Sequence, residues 1–255
     1  MRIDADKARR WGLAIAVHVA LIGVWWGLVV LLHVPKFIMP TPGETAASLA
    51  TPHYDWIGNT LVTAEEIFGG WIAAVIAAVV LAVVFSWWTW AEEVLLPLFV
   101  SFNMVPKVAL GPLFIVWFKY GVIPNSFIAF TIAFFPILLT TARGLSEVEP
   151  DLLDLVRSLG GSRWQLFTKI QLPGSLPYLF SGMKVGAILA VAGAIVGEFL
   201  GSAKGLGYLM LQVQTSLDTP AMFMAVILIT VLGVILYGFV VVLERLFVVR
   251  DARVR

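Results

Sequence analysis

Long apolar runs separated by short polar segments dominate the chain. The runs cover residues 11–32, 67–91, 94–118, 120–142, 185–203 and 219–243, and their only ionisable members are His18, Lys107 and Glu198. About 20 apolar residues are enough to cross the hydrocarbon core as a helix. The pattern therefore predicts six transmembrane helices. A β-barrel does not fit, because its strands would alternate apolar and polar positions.

Prolines interrupt two of these runs. The third run contains Pro97, Pro106 and Pro112, and the fourth contains Pro124 and Pro136. Proline removes a backbone donor and kinks a helix, which membrane proteins tolerate where a neighbour or a cavity satisfies the freed carbonyl. Either kinked transport helices or simple packing irregularities explain them.

Before the second run, residues 57–67 are mildly amphipathic. Such a segment is expected to lie in the membrane interface before the span turns inward. Glu65 and Glu66, at its end, are expected to be interfacial.

The longest polar segment covers residues 143–184 and needs structure of its own. Acidic residues on either side of Pro150 indicate a helix start, with Glu149 among them. Apolar residues then recur at helical spacing, namely Leu152, Leu155, Val156 and Leu159. Gly160 and Gly161 are predicted to end this first short helix.

A second short helix is predicted at residues 163–171. Ser162 is placed to cap it, and Leu172 and Pro173 are expected to end it. Two interpretations are open at this point. The pair of helices either receives a partner protein or shields the inner ends of the spans.

Composition supports the membrane class and excludes others. Of 255 residues, 60% are hydrophobic and 13% are charged, with a net charge of +1. Soluble domains carry about 25% charged residues, so a soluble enzyme, a disordered tail and a nucleic-acid binder with a basic face are excluded. The chain has no Cys and three scattered His. These counts argue against thiol chemistry, a metal site and a catalytic nucleophile.

Cations are concentrated in three regions: the N-terminus, residues 143–184 and the C-terminus, where Arg250, Arg253 and Arg255 lie. Lys and Arg accumulate on the cytoplasmic side of membrane proteins. Six spans therefore place both termini in the cytoplasm. Residues 11–32 are interpreted as a retained span, since they exceed the apolar region of a signal peptide and no clear cleavage site follows.

A spaced motif lies in the polar segment. Asp154, Leu155 and Val156 are followed after three residues by Gly160, and after nine more by residues 170–173, which read Ile-Gln-Leu-Pro. This arrangement resembles the EAA loop of bacterial ABC importer permeases, E-A-A-x3-G-x9-I-x-L-P. The departure is Asp-Leu-Val where that loop has Glu-Ala-Ala.

Other segments are similar to one branch of that family, which imports nitrate, sulfonates, taurine and bicarbonate. They are residues 37–42, 105–114, 117–118, 134–137 and 205–209. The same branch includes systems for thiamine-precursor pyrimidines and aromatic carboxylates. The resemblance therefore implies a small anion or small organic molecule as solute, without selecting one.

The resemblance also implies an architecture and partners. Residues 1–255 would form one transmembrane permease domain in the bacterial inner membrane, working as a homodimer with two ATPase subunits and a periplasmic binding protein. Residues 143–184 would carry the coupling helices. The ATPase-coupling positions would be Asp154, Leu155, Val156, Gly160, Arg163, Ile170, Leu172 and Pro173. The chain has no G-x-x-x-x-G-K-[ST] loop, so ATP and Mg would be bound by the partner ATPase.

Lys107 and Glu198 are the candidate solute-pathway residues. A cation inside the membrane costs about 2.5–3.5 kcal/mol and generally faces a cavity or a partner. Lys107 either attracts an anionic solute, or pairs with an acid or bends toward the interface. Glu198 either caps or pairs within the outer gate, or contacts solute. His18 is expected to be a hydrogen-bonded packing residue.

Small residues recur every four positions on the fifth span. One series is Gly182, Gly186, Ala190 and Ala194, and a second is Gly193, Gly197 and Gly201. This spacing lets helices approach closely. It suits contact between two permease copies, a wall of the solute pathway, or packing within the chain.

Two other functions fit less well. A secondary transporter driven by an ion gradient would have inverted repeats and several paired intramembrane acids. A membrane-embedded enzyme would need a polar constellation within the spans. The sequence has no convincing repeat and few intramembrane charges. An ABC importer permease is therefore the first hypothesis, with the secondary transporter as the alternative.

Overall fold

The computed structural model describes residues 2–147 and 150–248, and within these ranges all regular structure is helical. The helices are α1 (Arg2–Leu31), α2 (Pro42–Ala47), α3 (Trp56–Trp87), α4 (Thr89–Met104), α5 (Lys107–Phe118), α6 (Val122–Ser146), α7 (Pro150–Ser158), α8 (Arg163–Leu166), α9 (Leu172–Gly201), α10 (Leu206–Thr215) and α11 (Thr219–Phe247). Single 3₁₀ turns occupy Ser48–Ala50 and Pro52–Tyr54. Glu149 and the C-terminal Arg250, Arg253 and Arg255 lie outside the described residues.

Five stretches in the described residues are long and apolar enough to span a membrane. They are Gly12–Leu31, Pro52–Trp87, Val122–Ser146, Arg163–Gly201 and Thr219–Phe247. They match five of the six predicted spans. The all-α membrane fold is therefore confirmed.

The third predicted span is not one helix. It consists of α4 and α5, which meet at an angle of 84°, and only the bent pair together counts as a sixth span. Pro106 explains the break: it has no N–H to donate, and its ring disfavours the helical conformation for Val105. Val105 is accordingly extended, with ψ of 127°. Pro97 and Pro112, by contrast, lie inside α4 and α5.

The interfacial segment expected at residues 57–67 is also wrong. These residues form the first turns of α3, which runs without interruption from Trp56 to Trp87. Asn59, Thr63 and Glu66 lie on one buried face of this part of α3. The helix thus carries polar residues into the protein interior, and the uncharged run marks only its second part.

Leu172 and Pro173 do not end the second short helix. A π turn, Phe167–Gln171, joins α8 directly to α9. Pro173 falls in the first turn of α9, where a missing N–H costs least because the first N–H groups of a helix have no partner within it. The π turn before it is wider than an α-helical turn. Helical backbone therefore continues from the polar segment into the fifth span.

Contacts between Cα atoms divide the chain into two compact units. The first contains residues 1–56 and 209–228. Inside it, the Trp25 indole N–H donates to the carbonyl of Pro40 over 3.0 Å, and its ring stacks on Phe223 at 5.7 Å. Thr41 and Glu44 form a reciprocal capping box at the start of α2. These contacts order the proline-rich segment after α1.

The second unit contains residues 57–208 and 229–255, and its core is the packing of α9 on α6. A Cβ on Gly193 would lie 2.7 Å from Cα of Ala129, and one on Gly197 would lie 2.9 Å from Cα of Asn125. A Cβ on Gly182 would lie 3.1 Å from Cα of Ile137, and one on Gly186 would lie 2.6 Å from Cδ1 of Ile137. These four glycines therefore allow α9 to pack closely on α6 within the chain.

Candidate functional site

The predicted pair of short helices in the polar segment is present. α7 ends at Ser158, and two residues later Gly160 has a φ of +73°, the left-handed conformation that glycine adopts at little cost. The N–H of Gly161 closes the turn on the carbonyl of Val156 over 2.9 Å. Ser162 and Gln165 then form a capping box at the start of α8. The glycine stop and the serine cap are thus confirmed.

An apolar stripe is exposed on α7. Leu152, Leu155 and Leu159 are 41%, 54% and 77% exposed and recur at helical spacing. Asp154 is exposed between them, whereas Val156 is half-buried. Exposed apolar surface in a polar segment is typical of a protein-binding face.

Arg163 turns toward the end of α3. Its guanidinium Nη2 donates to the carbonyl of Trp87 over 2.6 Å, and its Cζ lies 5.6 Å from the centre of the Trp87 ring. The Trp87 ring also packs against Trp164 at 6.0 Å and Phe167 at 5.8 Å. We call Trp87, Arg163, Trp164 and Phe167 the Trp87 cluster. It attaches α8 to α3. Trp87 lies 76 positions before Arg163, which is why the motif spacing did not identify it.

The last part of the motif lies where the π turn meets α9. Ile170 is half-buried, while Leu172 and Pro173 are exposed. Between them, the Gln171 amide donates to the carbonyl of Leu145 over 3.3 Å. This bond connects the base of α9 to the end of α6.

Lys107 lines a cavity of about 790 Å³ between α3, α4, α5 and α6, which we call the chamber. Its volume lies within the range of small-molecule sites. Its wall includes six aromatic rings, those of Phe99, Phe102, Phe114, Phe130, Phe134 and Phe135. Its polar residues are Asn103, Lys107 and Thr131. The chamber is thus aromatic with one cation.

Glu198 is buried in a different environment. Its carboxylate accepts a 2.6 Å hydrogen bond from the Thr63 hydroxyl, and further bonds from the N–H groups of Gly207 and Tyr208. The helix dipole of α10 favours a negative charge at these N–H groups. The side chain is 1% exposed. Glu198 thus caps α10 inside the protein.

The surroundings of Glu198 are polar and interconnected. Thr63 Oγ1 also accepts from the N–H of Leu206, and Asn59 Oδ1 accepts from the N–H of Gly205, both over 2.8 Å. Asn125 donates to Oε1 of Glu66 over 2.8 Å. We call Asn59, Thr63, Glu66, Asn125 and Glu198 the carboxylate cluster.

Glu65 and Glu66, which were both expected to be interfacial, have different surroundings. The side chain of Glu66 is fully buried, while that of Glu65 is exposed. Consecutive residues on a helix point about 100° apart, so one faces α6 and the other faces outward. Within the described residues, Oε2 of Glu66 has no hydrogen-bond partner. Sequence alone did not separate the two acids, because the early start of α3 was not predicted.

The two candidate pathway residues do not converge. Lys107 lines the chamber, whereas Glu198 belongs to the carboxylate cluster and is absent from the chamber wall. His18 hydrogen-bonds to the Ala14 carbonyl of its own helix over 2.7 Å, but it is exposed rather than packed. A further ion pair, not anticipated from the sequence, joins Lys184 of α9 to Glu244 of α11 at 2.7 Å.

Known proteins resemble the chain over most of its length. Residues 74–249 match the model of the family described as binding-protein-dependent transport system inner membrane component. The riboflavin transport system permease protein RibX of Chloroflexus aurantiacus is 33% identical over 97% of this chain and 94% of its own length.

Two further relatives are named for other solutes. The formylaminopyrimidine transport permease protein ThiX of Halalkalibacterium halodurans is 30% identical over 69% of this chain and 71% of its own. The putative aliphatic sulfonates transport permease protein SsuC of Bacillus subtilis is 25% identical over 94% of this chain and 87% of its own. The chain belongs to the binding-protein-dependent transport system inner membrane components, the multi-pass permeases of ABC transporters.

Proposed function

We propose that the chain is the permease subunit of an ATP-driven importer. Two copies form the solute pathway, two separate ATPase subunits supply the energy and bind ATP and Mg, and a periplasmic binding protein delivers the solute. The observation that carries this proposal is the exposed leucine stripe on α7, within a spaced motif, in a chain of the ABC permease family.

The ATPase is proposed to bind residues 150–173. Leu155 and Asp154 contribute exposed apolar and charged surface, and Val156 and Gly160 fix the turn between the helices. Two connections link this ATPase-binding segment to the spans. One is Arg163, through the Trp87 cluster, and the other is the base of α9 with Ile170, Leu172 and Pro173. The concentration of cations in this segment and at both termini supports a cytoplasmic location for all three in the inner membrane.

The solute is proposed to be a small organic molecule or small anion. Relatives are named for riboflavin, formylaminopyrimidine and aliphatic sulfonates, so these three classes are the first candidates for uptake assays. Aromatic carboxylates, nitrate and bicarbonate complete the candidate set.

Co-expression with the candidate ATPase and binding protein tests the assignment. We expect a complex of two permeases and two ATPases that hydrolyses ATP, and no hydrolysis by the purified permease alone. ATP hydrolysis by this chain without a partner would overturn the proposal. Solute uptake into proteoliposomes that contain only this chain, driven by an ion gradient, would favour a secondary transporter instead.

A further inference from the structure

The cation in the chamber has unused binding capacity. A lysine ammonium has three N–H donors. Nζ of Lys107 donates to the backbone carbonyl of Asn103 and, over 2.6 Å, to its side-chain oxygen. Within the described residues no carboxylate pairs with Lys107. One donor and a whole positive charge are therefore available at the chamber wall.

The aromatic rings of the chamber are arranged in contact with one another. Phe134 lies 5.6 Å from both Phe99 and Phe130, measured between ring centroids. Aromatic pairs at such separations attract each other beyond the burial of their area. A planar ring bound in the chamber could pack against these aromatic side chains in the same way. A small aliphatic anion has no ring and could not make this aromatic contact.

The series of rings extends beyond the chamber. Phe127 stacks on Phe130 at 5.6 Å with 26° between the ring planes. Phe130 lines both the chamber and a second cavity of about 530 Å³, whose wall also includes Glu65 and Ser126. Phe127, Phe130 and Phe134 share one face of α6 by their spacing. They form a continuous aromatic track between the two cavities.

We propose that the chamber binds a small planar heteroaromatic solute with a negatively charged or hydrogen-bond-accepting edge. The ring packs against Phe130 and Phe134, and the accepting edge binds Lys107. This inference rests on the proposed function, because it names the solute class that the permease would carry.

A lipid chain is the competing occupant. An acyl chain has no acceptor for an ammonium group, and a cation in an apolar membrane environment is costly without one. The position of Lys107 in the chamber wall therefore favours an occupant with an accepting group. The aromatic lining and the single cation select the same class of molecule.

Equilibrium binding to the purified permease–ATPase complex in lipid nanodiscs tests the inference. The probes are pterin-6-carboxylate, a planar anion, and lumichrome, a planar neutral ring system, both followed by fluorescence anisotropy, with taurine as aliphatic competitor. We expect both probes to bind and taurine not to displace them. Lys107→Met should weaken pterin-6-carboxylate binding at least tenfold and lumichrome binding less, and Lys107→Arg should restore most of it.

Phe134→Leu keeps an apolar side chain and should weaken both probes at least fivefold. Phe239→Leu is the matched control, because Phe239 packs on Trp71 outside the chamber. Absence of binding by both probes, displacement by taurine, or equal affinities in all variants would overturn the inference. Bound phospholipid that the probes cannot displace would also do so. Assembly and ATP hydrolysis are measured in the same preparations: their loss would contradict the proposed function, whereas their retention without probe binding contradicts only the solute class.

Discussion

At the scale of single residues, Glu198 is a buried carboxylate held by several hydrogen bonds. It accepts hydrogen bonds from Thr63, Gly207 and Tyr208 while buried. A buried donor that loses its partner costs about 1–3 kcal/mol. The carboxylate cluster therefore fixes the start of α10 against α3 through groups that cannot be replaced by apolar ones.

We predict that Glu198→Leu destabilises the protein by about 3 kcal/mol, since it removes the acceptor of the buried Thr63 hydroxyl, the buried Gly207 N–H and the half-buried Tyr208 N–H. Glu65→Leu is the matched control, because it removes an exposed carboxylate from the same unit. Thermal unfolding in detergent, followed by size-exclusion chromatography, measures both. Equal melting temperatures for the two variants would show that the cluster has no structural importance.

The sequence showed that Glu198 needed a partner, but it could not show which one. Thr63 lies 135 positions away, and the N–H groups that bind Glu198 carry no sequence signal. The burial of Glu66 was not predicted for a related reason. The uncharged run begins after Glu66, whereas the helix begins at Trp56. The length of an uncharged run predicts a membrane span. It does not predict where the helix that contains the span begins.

Gly160 is the residue that the sequence predicted most fully. Its φ of +73° costs a residue with a Cβ about 1–2 kcal/mol, and β-branched residues suffer most. We predict that Gly160→Val loses the ATPase or uncouples ATP hydrolysis from uptake, although the spans still insert. Gly160→Asn is the control, because asparagine tolerates this conformation. Co-purification of the ATPase and solute uptake are measured in one preparation, and wild-type values for Gly160→Val would mean that the turn only covers the spans.

At the scale of elements, α6 and α9 pack closely against each other. Because Gly193 approaches the backbone of Ala129, a larger side chain there would push the two helices apart. We predict that Gly193→Val destabilises the protein by about 1–3 kcal/mol, the usual cost of overpacking. Gly238→Val in α11 is the control, since a Cβ there meets nothing within 4 Å. The comparison cancels the effect of valine on helix propensity, and equal unfolding temperatures would contradict the packing account.

Which helices could be predicted depends on what ends them. Apolar length alone predicted five spans correctly, because no residue inside them breaks the helix. Pro106 and Pro173 show the limit of that reasoning. Pro106 breaks the third span by 84°, where a kink was equally compatible with the sequence. Pro173 was expected to end the short helix at residues 163–171, but it lies in the first turn of α9. The same residue type acts differently according to the turn that precedes it.

At the scale of the whole molecule, the polar segment is attached to three spans of the second unit. The Trp87 cluster connects α8 to α3, Gln171 connects the π turn to α6, and the π turn continues directly into α9. A displacement of α7 and α8 by a bound ATPase would therefore act on all three spans. The motif spacing predicted the segment, whereas these attachments needed the tertiary structure.

Contact between α7 and an ATPase is the central claim, and the absence of cysteine makes it directly testable. Leu155→Cys introduces the only thiol of this chain on the exposed stripe, and Leu217→Cys introduces one at an exposed position before α11. The measurement is crosslinking of each variant to the co-expressed ATPase with a thiol- and amine-reactive reagent. The account predicts a permease–ATPase product for Leu155→Cys that changes in yield with ATP, and none for Leu217→Cys. Crosslinking from Leu217→Cys alone, or from neither variant in an assembled complex, would contradict it.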